Sequence, residues 1–379
     1  MYSIPYILLG AIYILLSVIY YKGKSEKAKL KIRIFSVFLF VFFFGFRGFV
    51  GTDWYLYYDY YYYFLNDSNH RDVEPGFAFL ARFIRYLGCN YHLFVLIITI
   101  IQGILLDNFL KKYSTNIPLS YAVLIAVFPL LIIDLLRNFL SILIFLQSIR
   151  YIVERKLFYF LLIVFIALLF HSTAVLLLPF YFLSKRVIGK KTILLLFGIG
   201  LIFYILGIDF IKPLLVLFGN FLGGRYQLLV DIYLESDIFG NSYGLRFGII
   251  EKILFFFLVF YKYNRIIQMG KDNRAIIFFI NIFFLYILAN LFFSTVNIMI
   301  ERFAVLLFFS YLIVIPLLHT IYRIRYNKII VFIYIYILLL VKISVSMNQP
   351  IYMYENILYN DSGHDNRARY LKEYYNIPF

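Results

Sequence analysis

Apolar residues in this chain come in long runs, and the polar residues gather in the short gaps between them. Residues 3–20 form the first run, a basic stretch holding Lys22, Lys24, Lys27, Lys29, Lys31 and Arg33 follows, and residues 34–46 are apolar again. Comparable runs occupy 92–110, 117–135, 139–153, 157–183, 193–207, 247–261, 275–294 and 329–346, and another opens at Glu301 and closes near His319. A membrane-crossing helix needs about 20 predominantly apolar residues, so the pattern predicts an all-α polytopic membrane protein, one integral domain over 1–379 with about 12 transmembrane helices. Residues 76–87 are too short and too charged to cross. Arg82 and Arg85 share one helix face there, opposed by Phe77, Leu80, Phe83, Ile84 and Leu87, which predicts an interfacial or re-entrant helix. The 157–183 run is broken at His171 and Ser172 and is basic just beyond both ends, which fits two short antiparallel helices meeting at His171.

Composition sharpens this picture. Hydrophobic residues make up 63% of the chain, a share that excludes a soluble domain of this length. The formal charge is +16, from 36 Lys and Arg against 20 Asp and Glu. Its placement explains it: the loops assigned to the cytoplasmic side hold roughly 22 basic residues and about four acids, and the outer side carries nearly all the remaining acids. The excess is therefore a signal of orientation and an attraction to anionic lipid, not a nucleic-acid surface. Both ends are expected outside, with outer loops at 47–91 and 209–246 and an outer C-terminal tail at 347–379. Cys89 is the single cysteine, which excludes an internal disulfide and a cysteine-based zinc site. His171 has no second His or Cys at ligand spacing, and no glycine-rich nucleotide loop is present, so neither metal nor cofactor is expected.

Ionisable groups within or at the ends of apolar runs are costly and mark function by default. Here they are Arg47; Asp134, Arg137 and Asn138; His171 and Ser172; Glu251 and Lys252; and Glu301 and Arg302. All fall toward the outer face in this topology. Arg47, Arg137 and Arg302 are expected to form a cluster for an anion, since guanidinium forks bind phosphate in bidentate fashion. Local pairing, Arg137 with Asp134 and Arg302 with Glu301, is the alternative. Asp53 and Glu74 are candidate general bases: Asp53 precedes a tyrosine run from Tyr55 to Tyr63, and Glu74 is held by the Pro75-Gly76 turn. His171 is a candidate base or phosphate donor. Tyr57, Asn138 and Arg225 complete the set expected to contact pyrophosphate or glycan.

Several of these pieces, in this order, resemble the EpsG/Wzy-like family of bacterial polysaccharide polymerases: Arg47 with Val50-Gly51-Thr52-Asp53 and the tyrosines, Glu74-Pro75-Gly76-Phe77, Leu136-Arg137-Asn138, His171-Ser172-Thr173-Ala174, and Glu301-Arg302-Phe303. The family usually has glutamine where Asn138 stands. The resemblance implies a GT-C-like, metal-independent membrane glycosyltransferase in the bacterial inner membrane, its active site facing the exterior. Such an enzyme transfers a glycan chain from one undecaprenyl pyrophosphate carrier to a lipid-linked repeat unit. The expected partners are that lipid-linked oligosaccharide, the bilayer and a chain-length regulator protein. The competing readings are a lipid-linked oligosaccharide flippase, an O-antigen ligase-type transferase and a membrane O-acyltransferase.

Overall fold

The computed structural model describes residues 1–23, 25–65, 73–183, 187–224, 227–228, 230, 247–296, 303–322, 325–360 and 362–375. All regular structure among them is helical, and the sole β-type contact is an isolated bridge between Arg47 and Asn356. In chain order the helices are α1 (Ile4–Lys22), α2 (Glu26–Gly45), α3 (Trp54–Asp59), α4 (Pro75–Tyr86), α5 (Tyr91–Tyr113), α6 (Ile117–Val127), α7 (Pro129–Ile133), α8 (Leu136–Leu146), α9 (Ile149–Glu154) and α10 (Leu157–Leu168). A 3-10 segment (Ser172–Phe182) follows, then α11 (Lys190–Leu206), α12 (Ile211–Leu222), α13 (Phe247–Tyr261), α14 (Tyr263–Asp272), α15 (Arg274–Phe292), α16 (Phe309–Ile321), α17 (Arg325–Ser346) and α18 (His364–Tyr375).

Among the described residues, four stretches are long and apolar enough to cross a membrane, namely α1, α5, Leu136–Glu154 and α15; a fifth results if α11 and α12, bent by 90°, count as one. The expected count of about 12 is higher because several expected spans, α6, α10, the 3-10 segment and α16 among them, are apolar helices shorter than the roughly 20 residues a crossing needs. The polarity of α1 is that of a membrane helix. Its outward face carries Leu8, Ile12, Leu15 and Ile19, while its buried face carries Tyr6, Tyr13 and Ser17. Tyr13 donates to the Ser36 carbonyl on α2 (2.8 Å), and Ser17 Oγ lies 3.1 Å from the Tyr336 hydroxyl on α17. Polar groups that bond between helices and apolar groups that face outward are what a hydrocarbon solvent selects.

Local chemistry sets the helix starts. Asn90 and Asn116 cap α5 and α6, their side chains accepting from the amides of Leu93 (2.9 Å) and Leu119 (3.2 Å). The Asn116 amide also donates to the Ser17 carbonyl, tying α6 to α1. The chain forms two compact units. In the first, Met1–Tyr181 with Ile315–Phe379, every residue of α6 is buried; α1 packs on α2, α6 and α17, and α8 packs on α5 and α10. In the second, Phe182–Val314, α15 is central and packs on α11, α13 and α14, with Phe197 and Phe256 stacked at 3.7 Å between α11 and α13.

Three expectations need correction. The break at His171 is present, but Ser172–Phe182 is a 3-10 segment rather than a second α-helix, with Pro179 in its interior unable to donate a backbone bond. The 209–246 stretch does not begin as a loop, since α12 is an apolar helix that turns away after Gly207. On α4, Phe83 and Leu87 are exposed, and the buried face is Phe77, Ala78, Ala81 and Ile84. The described part of the 347–379 tail folds onto the 46–53 segment.

Candidate active site

The Glu74-Pro75-Gly76 turn is built to meet the break after α10. Pro75 occupies the first turn of α4 and holds Glu74 extended, at φ −62° and ψ 144°. The amides of Gly76 and Phe77 both donate to the Leu169 carbonyl, at 2.7 and 3.3 Å. A Cβ on residue 76 would lie 2.7 Å from that oxygen, so only glycine permits the approach. The contact is returned from the other side, where the Ser172 amide donates to Glu74 Oε1 at 3.1 Å. Glu74 Oε2 accepts from Arg137 Nη1 at 2.7 Å. The Arg137 guanidinium carbon lies 5.9 Å from the Tyr57 ring centroid, within cation–π range. Burial pushes the Tyr57 hydroxyl above its usual range, and neighbouring Arg137 partly offsets that.

His171 is fixed beside this pair. Its Nδ1 lies 2.8 Å from Thr173 Oγ1 and 3.3 Å from the Thr173 amide nitrogen. Thr173 Oγ1 also reaches Asn138 Oδ1 at 3.4 Å. The Asn138 side chain is almost fully buried, and its Nδ2 has no hydrogen-bond partner among the described residues. Tyr57, Glu74, Arg137, Asn138 and His171 thus form one connected cluster drawn from α3, α4, α8 and the turn after α10.

Asp53 joins from the 46–53 segment. The amides of Thr52 and Asp53 donate to Asp134 Oδ1, at 2.6 and 3.2 Å. Gly51 lies at φ +91°, and a Cβ there would fall 2.0 Å from the same oxygen. Asp134, in the break between α7 and α8, is therefore a bracket for the Asp53 loop, and Arg137 pairs with Glu74 instead of with Asp134. Asp53 is close enough to Tyr57 to act on its hydroxyl electrostatically. Arg47 is buried below the segment and donates to the carbonyls of Phe44 and Ile133, so its bonds shape the loop. Arg225, Glu301 and Arg302 lie outside the described residues.

One group of supporting residues was not anticipated. Arg367 on α18 is fully buried: its Nε donates to the Phe49 carbonyl at 2.8 Å, its Nη2 to the carbonyls of Pro350, Ile351 and Met353, and Nη1 lies 3.6 Å from Glu355 Oε1. Backbone bonds add to the tie, from Gly48 to Glu355, Gly51 to Ile351 and Ile357 to Phe46, each 2.9 Å. His364 stacks on Tyr58 at 4.2 Å. The C-terminal segment is thus a second bracket for the Asp53 loop. The arginine's partners are mostly main-chain carbonyls, which leave no mark in a sequence; only the charge of Arg367 and Glu355 was visible.

The fold and site define a class: an all-helical, multi-pass membrane protein with a charged, tyrosine-rich cluster where its apolar runs break. The chain belongs to the EpsG family, whose sequence profile matches residues 30–360, most of its length. No curated protein and no solved structure matches it. Membership is consistent with a glycosyltransferase-like polysaccharide polymerase.

Proposed function

We propose that this protein is a polysaccharide polymerase that joins a glycan chain, released from one undecaprenyl pyrophosphate carrier, to a lipid-linked repeat unit at the outer leaflet. The observation that carries this reading is Arg137, a partly exposed guanidinium held by Glu74 and set against Tyr57, with His171 and Asn138 alongside. A fork of this kind suits the pyrophosphate leaving group, whose developing charge it stabilises. His171 and Asn138 orient the phosphates, and the tyrosines offer faces for sugar rings. Arg47 shapes the loop from below, and Arg225 and Arg302 are further candidates for the anion.

The acceptor hydroxyl loses a proton as it attacks the anomeric carbon of the donor, and the carbon–oxygen bond to pyrophosphate breaks. Glu74 has both oxygens engaged, one with Arg137 and one with Ser172. Asp53, which heads the tyrosine run and acts electrostatically on Tyr57, is the proposed base, a role worth about 10²–10⁴-fold in rate. Neither metal nor nucleotide sugar enters this scheme. A chain-length regulator is the proposed protein partner. The test is a panel of Asp53→Asn, Glu74→Gln and His171→Ala, each assayed for binding of lipid-linked substrate and for chain growth. Asp53→Asn is expected to bind and make no polymer. Normal polymer from both carboxamide variants, with only His171→Ala inactive, would transfer the base to the histidine.

A further inference from the structure

Outside the cluster, α4 carries a second basic feature. Arg82, Arg85, Tyr86 and Leu65 line a cavity of about 300 Å³, the lower end of the range for small-ligand sites. Both arginines are exposed, and neither has a carboxylate partner among the described residues. Each is nevertheless anchored. Arg82 Nε donates to the Leu65 carbonyl at 3.0 Å, and the Arg85 guanidinium lies 4.5 Å from the Tyr62 ring centroid and 5.4 Å from that of Tyr61. These contacts restrain both guanidinium groups along the wall of one cavity.

The rest of the helix indicates which kind of anion reaches them. Phe79 and Phe83 are exposed on α4 with their rings nearly parallel, and Tyr86 and Leu87 extend the same exposed face. The opposite face is buried, with Phe77 and Ala81 wholly covered. A helix of 12 residues with one face packed on protein, aromatic rings on the other and arginines along the border has the pattern of a helix that lies in the plane of a membrane surface. The rings then reach the acyl boundary while the guanidinium groups sit at phosphate depth.

We infer that Arg82 and Arg85 form a binding site for the phosphate headgroup of an anionic membrane lipid, whose chains run along Phe79 and Phe83. None of the residues lining this cavity belongs to the Glu74–Arg137 cluster, and the site does not depend on the polymerase reading.

The test is native mass spectrometry of the full chain released from nanodiscs. One sample contains phosphatidylglycerol, a second only zwitterionic phosphatidylcholine, and a third phosphatidylcholine with millimolar inorganic phosphate. Phosphatidylglycerol is expected to stay bound and phosphatidylcholine to be lost. The double variant Arg82→Gln/Arg85→Gln should retain about tenfold less phosphatidylglycerol or lower still. Arg85→Gln alone leaves the Leu65 contact intact, guards against a folding defect, and should show an intermediate loss. Equal retention of the two lipids, or undiminished retention of phosphatidylglycerol by both variants, would overturn the site. Phosphate adducts in the third sample without any lipid preference would assign the cavity to a free anion and overturn the lipid assignment.

Discussion

Arg137 and Glu74 approach to 2.7 Å while both keep part of their surface exposed, at 25% and 16%. An ion pair so placed can hold a guanidinium in position and still leave it accessible to substrate. Arg137→Lys keeps the charge and loses the planar fork, so it should remove about 3 kcal/mol of transition-state stabilisation, read as a fall in the rate of chain growth at unchanged expression. Glu74→Gln should lower the same rate while substrate is still bound, because the amide keeps a bond to Ser172 but holds the arginine less firmly. Normal rates from both variants would show that the pair has no part in the chemistry. These residues were legible in the sequence because a charge inside an apolar run stands out. Their pairing was not: Asp134 is the nearer acid along the chain, yet its oxygen is occupied by the amides of Thr52 and Asp53.

At the scale of elements, two brackets position the site. The first joins the start of α4 to the end of α10 through the Leu169 carbonyl. A Gly76→Ala variant brings a methyl within 2.7 Å of that oxygen, so it should cost about 1–3 kcal/mol and lower the thermal midpoint of the purified protein. A midpoint equal to that of the native protein would mean the turn tolerates displacement. The second bracket is α18. Arg367→Met takes the cation away from the buried Glu355, which keeps its bond from the Ser362 hydroxyl, and removes the bonds to four carbonyls, so a loss of about 3–5 kcal/mol is expected. The double variant Arg367→Met/Glu355→Met should be less destabilised than the sum of the singles, measurable as thermal midpoints in one detergent. Helix types were largely readable from hydrophobic runs, and the break at His171 was too. The role of 347–379 was not, because a segment rich in Asn, Tyr and charge reads as solvated unless the carbonyls it meets are known.

For the whole molecule, the charge distribution predicts an orientation that the helices alone do not. Reporters fused after Lys191, near Asp231 and after Phe379 are predicted to read cytoplasmic, exterior and exterior. Reporter fusions at the three positions check this, and a cytoplasmic signal from the C-terminus would contradict an even number of crossings. The number of crossings was the least legible property, because apolar runs of similar length fold into full spans, broken spans or short buried helices according to their packing partners, as α6 and α15 illustrate. The proposed function depends on glycan transfer between lipid carriers at the Glu74–Arg137 cluster. Its most direct test is purified protein in vesicles, supplied with a single lipid-linked repeat unit and no nucleotide sugar. The account predicts a ladder of lipid-linked products that lengthens with time and disappears in Asp53→Asn. Movement of the intact repeat unit across the bilayer with no chain growth would contradict it and identify a transporter.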